Sequence, residues 1–173
     1  MQMDRFTTLA QEVLATAQST ATGRQHAELT PLHLLAAMLE DRQGVVGSIL
    51  AKAGVQSERV REVAEAELSR RPQASGTQPR TAPALIQTLQ SAEKEAKSRG
   101  DAYVSTEHLL LAFFDAPSDA TEVLTSCGAD RSTVAKAIDE IRRASGVSQV
   151  NDPGAESTFE ALKKYAIDLN ERA

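Results

Sequence analysis

The sequence is poor in aromatic residues and has a single cysteine. Aromatic side chains make up 3% of the 173 residues, and tryptophan is absent. A core without large rings must be filled by leucine, valine, isoleucine and alanine, which favours closely packed helices over a β-sandwich. The single cysteine, Cys127, excludes an internal disulfide framework and is typical of a reducing compartment. We interpret it as a small buried residue at the end of a helix.

Long apolar runs and an excess of positive charge are also missing. The sequence contains no stretch of about 18 apolar residues and no charged leader before an apolar segment. Its net charge is −5, whereas nucleic-acid-binding domains normally carry a basic face. Two short basic pairs, 70–71 and 142–143, are interpreted as solvated helix ends, where cations offset the helix dipole. We therefore expect a soluble, cytoplasmic protein that binds neither membranes nor nucleic acid.

Recognisable catalytic motifs do not occur. The sequence has no Gly-x-Ser-x-Gly elbow and no Gly-x-x-x-x-Gly-Lys-Ser/Thr phosphate loop. The three histidines and the cysteine do not show the spacing of metal ligands. We predict no catalytic residue, no cofactor and no metal in this chain, which leaves binding as its expected role.

What the sequence does contain is an internal repeat. Residues 30–37 (TPLHLLAA) return as residues 105–112 (STEHLLLA). A second anchor, an aliphatic pair followed by a glycine, ends at Gly54 in the first copy and at Gly128 in the second. A repeat of this length is too long for one helical hairpin, so it indicates two copies of a multi-helix unit.

Apolar residues at helical spacing predict four helices in each copy. The first copy covers about 4–70 and the second about 81–145, and Gly23 and Gly100 are predicted to end the first helix of each. Neither copy alone could bury much surface, so we expect two pseudo-symmetric four-helix repeats packed into one all-α domain over residues 1–145. The predicted helices of the first copy cover 7–22, 31–40, 45–53 and 57–69. The predicted core stripe that opens the second copy comprises Leu85, Ile86, Leu89, Ala92 and Ala96.

Two polar stretches lack this periodicity. Residues 71–80 contain two prolines and a glycine and are predicted to form an exposed linker between the copies. Residues 146–155 contain Asn-Asp-Pro-Gly and are predicted to form a flexible linker that leads away from the domain. Residues 156–173 carry a new apolar stripe, and we expect there the start of a helix that continues into a longer protein.

Symmetric and asymmetric positions of the repeat predict different roles. His33 and His108 each follow a capping hydroxyl by three residues, so we interpret both as structural side chains that satisfy local hydrogen bonds. Asp101 and Glu107 in the second copy stand where the first copy has no acidic residue. A helix start favours carboxylates by itself. The first copy does not need them to fold, however, which tilts the interpretation toward recognition.

These residues resemble a known family. The double motif, residues 29–35 and 104–110, resembles the twin Clp repeats at the N-terminus of Clp ATPases, and the opening residues 3–7 (MDRFT) fit the same pattern. The ending, residues 161–173, resembles the segment of ClpB-type disaggregases that leads into the first ATPase module. Asn170 stands where that segment usually has threonine. The resemblance covers essentially the whole chain.

The resemblance implies an N-terminal domain that captures unfolded or aggregated polypeptides for an ATP-driven disaggregase working with the DnaK system. The parent would be a homohexamer whose ATPase modules, missing here, bind ATP and magnesium, and the isolated domain is expected to be monomeric. The family's polar substrate-handling positions match Thr7, Asp101 and Glu107, and Leu89 of its apolar groove is kept. With Tyr103 of the acidic loop, these are the predicted substrate-binding residues.

Two other functions stay open. An adaptor-docking regulatory domain, as in ClpC- and ClpA-type unfoldases that feed a protease, would bind folded adaptors instead of unfolded chains. A free-standing enzyme would need a nucleophile–base pair, which the sequence does not offer.

Ser91, Glu95 and His108 occupy groove positions that are often apolar in relatives, which predicts weakened or shifted binding of apolar clients.

Overall fold

The computed structural model describes residues 3–41, 44–74, 76, 78–146 and 149–154. These residues form eight α-helices, so the prediction of a mostly helical, two-repeat domain is confirmed. The predicted helix over 156–173 lies outside the described residues. The helices of the first repeat are α1 (Thr8–Gly23), α2 (Pro31–Met38), α3 (Val45–Lys52) and α4 (Ser57–Ser69). Those of the second are α5 (Pro83–Ser98), α6 (Thr106–Ala112), α7 (Asp119–Ser126) and α8 (Arg131–Ser145).

The first helices of the two repeats end with the same geometry. In α5 the left-handed position is Gly100, at φ 74°, and the N–H of Asp101 donates back to the last turn at 2.9 Å. In α1 that position is Gln25, at φ 59°, and the N–H of His26 donates back at 3.0 Å. Gly23 itself is still helical. The predicted end of α1 at Gly23 is confirmed, since Gly23 is the last helical residue, but the positive φ that reverses the chain lies two residues later, at Gln25.

Short parallel bridges cross between the repeats, which the sequence did not predict. The strand β1 (Glu28–Leu29) precedes α2 and pairs with β2 (Arg80–Thr81), which precedes α5. The matching bridge joins Phe6, before α1, to Val104, before α6. The segment leading into the first helix of each repeat thus pairs with the segment leading into the second helix of the other.

The third helices are exchanged as well. Helix α3 packs more against α6 and α8 of the second repeat than against its own neighbour α4, and α7 packs against α2 and α4 of the first repeat. One continuous apolar core results. Because each repeat completes the core of the other, the two halves form one folding unit instead of two independent ones. The largest fully buried side chains are Phe6, Phe113, Leu32, Leu34, Leu35, Ile49, Leu50, Leu68, Leu85, Leu109, Leu110 and Leu111.

The two predicted linkers are both tied to the domain. In the first, the N–H of Ala74 donates to the carbonyl of Gln25 at 2.7 Å, and Arg80 belongs to β2. In the second, residues 149–154 return to the domain and Val150 is 1% exposed. This part of 146–155 is therefore not a free tether, because its backbone finds partners on the domain.

Two residues predicted to face the core do not do so fully. Ile86 on α5 is 42% exposed, so it lies outside the buried stripe of that helix. Cys127 is half-buried and packs against the rim of the core. The helical period turns Ile86 about 100° away from its buried neighbour Leu85, toward the exposed side of α5.

Candidate functional site

Each repeat places a histidine at the third position of its second helix, where it caps the helix start. In α2 the N–H of Thr30 donates to Nδ1 of His33 at 3.0 Å. In α6 the N–H of Ser105 donates to Nδ1 of His108 at 2.8 Å. Both helix starts are capping boxes with histidine in the place usually taken by Glu or Gln. The prediction that both histidines satisfy local hydrogen bonds is confirmed.

These bonds fix the tautomer of both rings. Because Nδ1 accepts a hydrogen bond, the proton of the neutral ring lies on Nε2, which donates to the next group. In the first repeat that group is Nδ1 of His26, 2.8 Å from Nε2 of His33. In the second it is Oδ2 of Asp101, 2.6 Å from Nε2 of His108. The two repeats therefore share the capped histidine and differ in its acceptor.

The second repeat extends this bond into a buried charge cluster, which we define as Asp101, Glu107, His108 and Arg142. Arg142 of α8 donates from Nη2 to Oδ2 of Asp101 at 2.9 Å and from Nε to Oε2 of Glu107 at 2.9 Å. The side chain of Asp101 is fully buried, that of Arg142 is 9% exposed and that of Glu107 is 14% exposed. Glu107 is thus the carboxylate of the cluster that reaches the surface.

The cluster keeps Asp101 ionised. Burial alone would raise the pKa of this carboxyl, but hydrogen bonds from His108, Arg142 and the backbone of Val150 outweigh burial and hold its pKa well below the usual range. The pKa of Arg142 is raised: burial opposes the charge, and the bonds to Asp101 and Glu107 overcome it. The described residues hold no buried polar side-chain atom without a partner, so this buried charge is compensated.

The first repeat provides an acceptor for Nε2 of its capping histidine without a carboxylate at these positions. Burial and the nearby charge of Arg71 lower the pKa of His33 to about 4. The pKa of His26 is lowered by the same causes, and its side chain bonds the backbone of Leu68. Arg71 donates to Oγ1 of Thr30 at 2.8 Å and pairs with Asp119 of the other repeat. The imidazole of His26 therefore stands where the second repeat holds the carboxylate of Asp101.

Four of the five predicted substrate-binding residues lie in one region. The N–H of Thr7 donates to the carbonyl of Val104 at 2.9 Å, which brings Thr7 beside the loop that holds Asp101, Tyr103 and Glu107. Thr7 is buried and caps α1, since its Oγ1 accepts from the backbone N–H of the third helical residue. Tyr103 is half-buried. Thr7 and Asp101 therefore have internal roles here, and Tyr103 and Glu107 reach solvent.

The fifth predicted residue, Leu89, lies on α5. It is half-buried against the core, and Ile86 one turn earlier is exposed. The other groove positions differ from the prediction. Glu95 forms ion pairs with Arg99 and Arg131, and His108 is fully buried in its capping box, so it does not line a groove.

Sequence reasoning missed Arg142. This residue was interpreted as a solvated helix end, yet it is 8% exposed and central to the charge cluster. A signal was present: Val60, Ala64 and Leu68 form the buried stripe of α4, and the equivalent residues of α8 are Val134, Ile138 and Arg142. The helical period alone places Arg142 on the buried face.

The other features of the described residues include a groove, but no metal site and no membrane span. Among them no group of three His, Cys, Asp or Glu side chains could hold a metal ion, and no helix is both long and apolar enough to cross a bilayer. A groove of about 340 Å³ lies in the first repeat, between α1, α2 and α4. Its charged lining residues are Arg24, Glu40, Arg61 and Glu65.

The fold places this chain in a class of helical N-terminal domains. It matches the crystal structure of the Hsp104 N-terminal domain from Candida albicans with a TM-score of 0.76 and 22% identity, over 87% of this chain and 98% of that one. It also matches a ClpV N-domain in complex with a VipB peptide, with a TM-score of 0.64 and 23% identity, over 79% and 86% of the two chains.

Residues 5–127 match the model of the Clp repeat (R) N-terminal domain, and the chain belongs to this family. Over 172 residues it is 38% identical to the chaperone protein ClpB of Rhodopirellula baltica, which covers 99% of this chain and 19% of that protein. It is 33% identical over 177 residues to the ClpB of Rhodopseudomonas palustris, covering 100% and 20%. The chain spans about a fifth of the length of these curated relatives.

Proposed function

We propose that this chain is the client-binding N-terminal domain of a ClpB-type chaperone. It captures unfolded or aggregated polypeptides and passes them to a homohexameric motor that works with the DnaK system in the cytoplasm. Similarity to proteins named ClpB along nearly the whole chain supports this assignment. The motor's modules, which bind ATP and magnesium, lie in the four-fifths of the relatives' length that this chain does not cover.

The observation that carries the proposal is the difference between the repeats. Only the second repeat has a buried ion pair at these positions, Asp101 with Arg142, and Arg142 also holds the partly exposed Glu107. A buried ion pair contributes little net stability compared with apolar side chains of similar volume. The cluster is therefore better explained as a device that positions Glu107 than as a source of stability.

The roles of the predicted site residues divide by their exposure. Glu107 and Tyr103 contact the client directly, and Leu89 with the exposed Ile86 provides an apolar surface on α5. Asp101 and Thr7 are positioning residues, because both are buried and bonded inside the domain. A surface of one carboxylate, one phenol and two aliphatic side chains suits weak capture of chains of varied sequence.

Titration with a labelled, permanently unfolded protein tests this site by fluorescence anisotropy. Glu107→Gln is expected to weaken binding about tenfold, which corresponds to loss of a hydrogen bond to a charged group worth about 1.5 kcal/mol. Glu122→Gln, an exposed carboxylate on α7, is the matched control and should bind as the unaltered chain does. Equal binding by both variants would remove Glu107 from the site.

The apolar part of the surface is tested in the same assay. Ile86→Ser and Leu89→Ser should both weaken binding, whereas Met3→Ser, which alters a side chain 44% exposed outside α5, should not. Failure of the unaltered chain to bind any unfolded protein would contradict the proposed function as a whole.

Docking of a folded adaptor is a second candidate, and the charged groove of the first repeat is the observation that favours it. The structure of a ClpV N-domain with a related fold is a complex with a VipB peptide. Arg61→Glu would reverse one charge in this groove, which lies in the repeat that lacks the charge cluster. A variant that keeps client binding and loses a polar adaptor would assign adaptor docking to the first repeat.

A further inference from the structure

Residues 149–154, which we name the strap, lie across the loop that holds the charge cluster. The N–H of Val150 donates to Oδ1 of Asp101 at 2.8 Å. The carbonyl of Val150 accepts from the N–H groups of Ala102 at 3.0 Å and Tyr103 at 3.2 Å. A second anchor follows, where the N–H of Thr8 donates to the carbonyl of Pro153 at 2.9 Å.

We propose that the strap occupies a main-chain recognition site on this loop, and that an extended segment of a client competes with the strap for it. The inference rests on the proposed function, since it names how part of a client is held at the same surface. It adds a binding site formed by the carboxylate of Asp101 and the two N–H groups of Ala102 and Tyr103. The ligand class is an extended peptide segment with a small aliphatic side chain.

The bonds to Val150 are made by atoms that every non-proline residue has. Its N–H donates to a carboxylate, and its carbonyl accepts from two N–H groups. An extended chain presents the N–H and C=O of one residue toward the same side, as in an antiparallel strand pair. The side chain of Val150 is small and 1% exposed. Such a site selects backbone conformation and size, not sequence, which is what a binder of varied clients requires.

The site is held in place by contacts that do not involve the strap. Asp101 is fixed by Nε2 of His108 at 2.6 Å and by Nη2 of Arg142 at 2.9 Å. The loop after it is fixed at Val104, whose N–H donates to the carbonyl of Arg5 at 2.8 Å. Departure of the strap would leave one carboxylate and two N–H donors already oriented. Preorganisation of this kind lowers the cost of binding a replacement segment.

The strap itself is held at few points. Its residues Gln149, Asn151, Asp152 and Pro153 are all exposed, and Val150 is the residue it buries. Exchange for a segment of another chain therefore gives up one small apolar side chain and a few hydrogen bonds, which the client segment remakes. The arrangement also accounts for the burial of Asp101, a predicted substrate-binding residue that the strap covers in this structure.

The test compares two variants of the full chain that add the same charge one residue apart. Val150→Asp places a carboxylate against Asp101 and should release the strap, and Asn151→Asp adds the charge at an exposed position. If the strap is closed in about 90% of molecules, the site is open in about a tenth of them, and the apparent client affinity is about tenfold weaker than that of a domain with a released strap. We therefore expect Val150→Asp to bind a labelled unfolded protein up to about tenfold more tightly, and Asn151→Asp to bind it unchanged.

A synthetic peptide of residues 149–154 provides a second arm that does not depend on client identity. It should displace the labelled client from the Val150→Asp variant, because it carries the residues that fit the site. If Val150→Asp does not fold, as judged by circular dichroism, Val150→Ser takes its place in both arms.

Amide hydrogen exchange on the unaltered chain gives a readout without any substitution. Client should speed exchange at the Val150 amide, while Ala102 and Tyr103 stay protected because the client takes over their bonds. Equal client affinity of Val150→Asp and the unaltered chain, or unchanged exchange at Val150 on client binding, would overturn the inference and leave the proposed function standing. Absence of client binding by both chains would overturn both.

Discussion

The two repeats build the same helix start and complete it with opposite chemistry. In both, a hydroxyl residue and a histidine three positions later form the cap of the second helix. In the first repeat Nε2 of the ring donates a hydrogen bond to His26, and Leu68 fills the adjacent position on α4. In the second it donates a hydrogen bond to Asp101, and Arg142 fills that position on α8. The start of the second helix is thus capped in both repeats, whether the acceptor of the histidine is a neutral ring or a carboxylate.

This difference shows which part of the repeat is architectural. The shared cap, the crossed bridges and the exchanged third helices are needed in both halves, because each half completes the other's core. The charge cluster is needed in neither for folding, since the first repeat manages without one. It does provide a surface carboxylate at Glu107 and a buried one at Asp101 that binds the strap. Function is accordingly expected where the symmetry is broken.

Removal of Arg142 gives the largest expected effect. Arg142→Leu restores the residue type of the first repeat but leaves Asp101 and Glu107 without their cation, so it should destabilise the domain by about 3–5 kcal/mol. The triple variant Asp101→His, Glu107→Leu, Arg142→Leu copies the first repeat and should recover most of this loss, because no buried charge stays unpaired. Urea denaturation midpoints measure both. A triple variant as unstable as Arg142→Leu would show that the neutral solution does not fit the second repeat.

Leucines at equivalent core positions should respond alike. Leu34 and Leu109 are both fully buried, so Leu34→Ala and Leu109→Ala should each cost about 2–5 kcal/mol. Similar losses in a single cooperative transition, followed by circular dichroism in urea, are expected because the repeats share one core. Two separate transitions, or loss in only one variant, would contradict the interlocked arrangement.

The sequence was sufficient to predict the repeat architecture. The caps at Thr30 and Ser105, the closing glycines Gly54 and Gly128 and the apolar stripes are local signals, and they placed most helix bounds within two residues of those observed. The asymmetry at Asp101 and Glu107 was also visible, because it requires only comparison of the two copies. What failed were pairings set by tertiary contacts.

The strap and the crossed bridges show why pairings set by tertiary contacts were not predicted from the sequence. Val150 lies in a polar stretch with turn residues, so local preference indicates a linker, and its burial depends on partners 47 to 49 residues earlier in the chain. Phe6 and Val104 pair through backbone atoms, which leave no periodic pattern in sequence. Arg142 was misassigned because its charge suggested solvent, although its helical position indicated the core.

On acidification, the two repeats should lose their contributions to stability at different pH values. His33 has a pKa of about 4 in the folded domain and about 6.5 when unfolded, so the unfolded chain binds more protons between these values. Its contribution to stability is complete above pH 6.5 and is lost as the pH falls toward 4, by about 3 kcal/mol in all. Asp101 has a lowered pKa and loses its contribution only below the ordinary value of about 3.8.

Glutamine in the cap provides the matched variants for this test. Gln at the third helical position keeps a capping box and does not titrate. His33→Gln should reduce the dependence of the free energy of unfolding on pH between 6.5 and 4 and leave the part due to His26, whose pKa is also lowered, whereas His108→Gln should keep the part due to His33. Urea titrations at pH 7.0, 5.5 and 4.5 measure the slopes. An equal slope in His33→Gln and the unaltered chain would exclude His33 as its source.

The smallest expected effect concerns the left-handed residue after the first helix of each repeat. Gln25 has φ 59° where the second repeat has Gly100. A left-handed residue with a side chain costs about 1–2 kcal/mol, and glycine costs about 0.4–1 kcal/mol through the unfolded state, so Gln25→Gly should stabilise by about 0.5–1 kcal/mol. Gly100→Ala should do the reverse, and its Cβ would lie 3.0 Å from Nε2 of Gln149 in the strap. Thermal unfolding measures both stabilities. Faster amide exchange at Val150 in Gly100→Ala, but not in Gln25→Gly, would show that the end of α5 also positions the strap. Destabilisation by Gln25→Gly would mean that the side chain of Gln25 contributes more stability than its left-handed backbone costs.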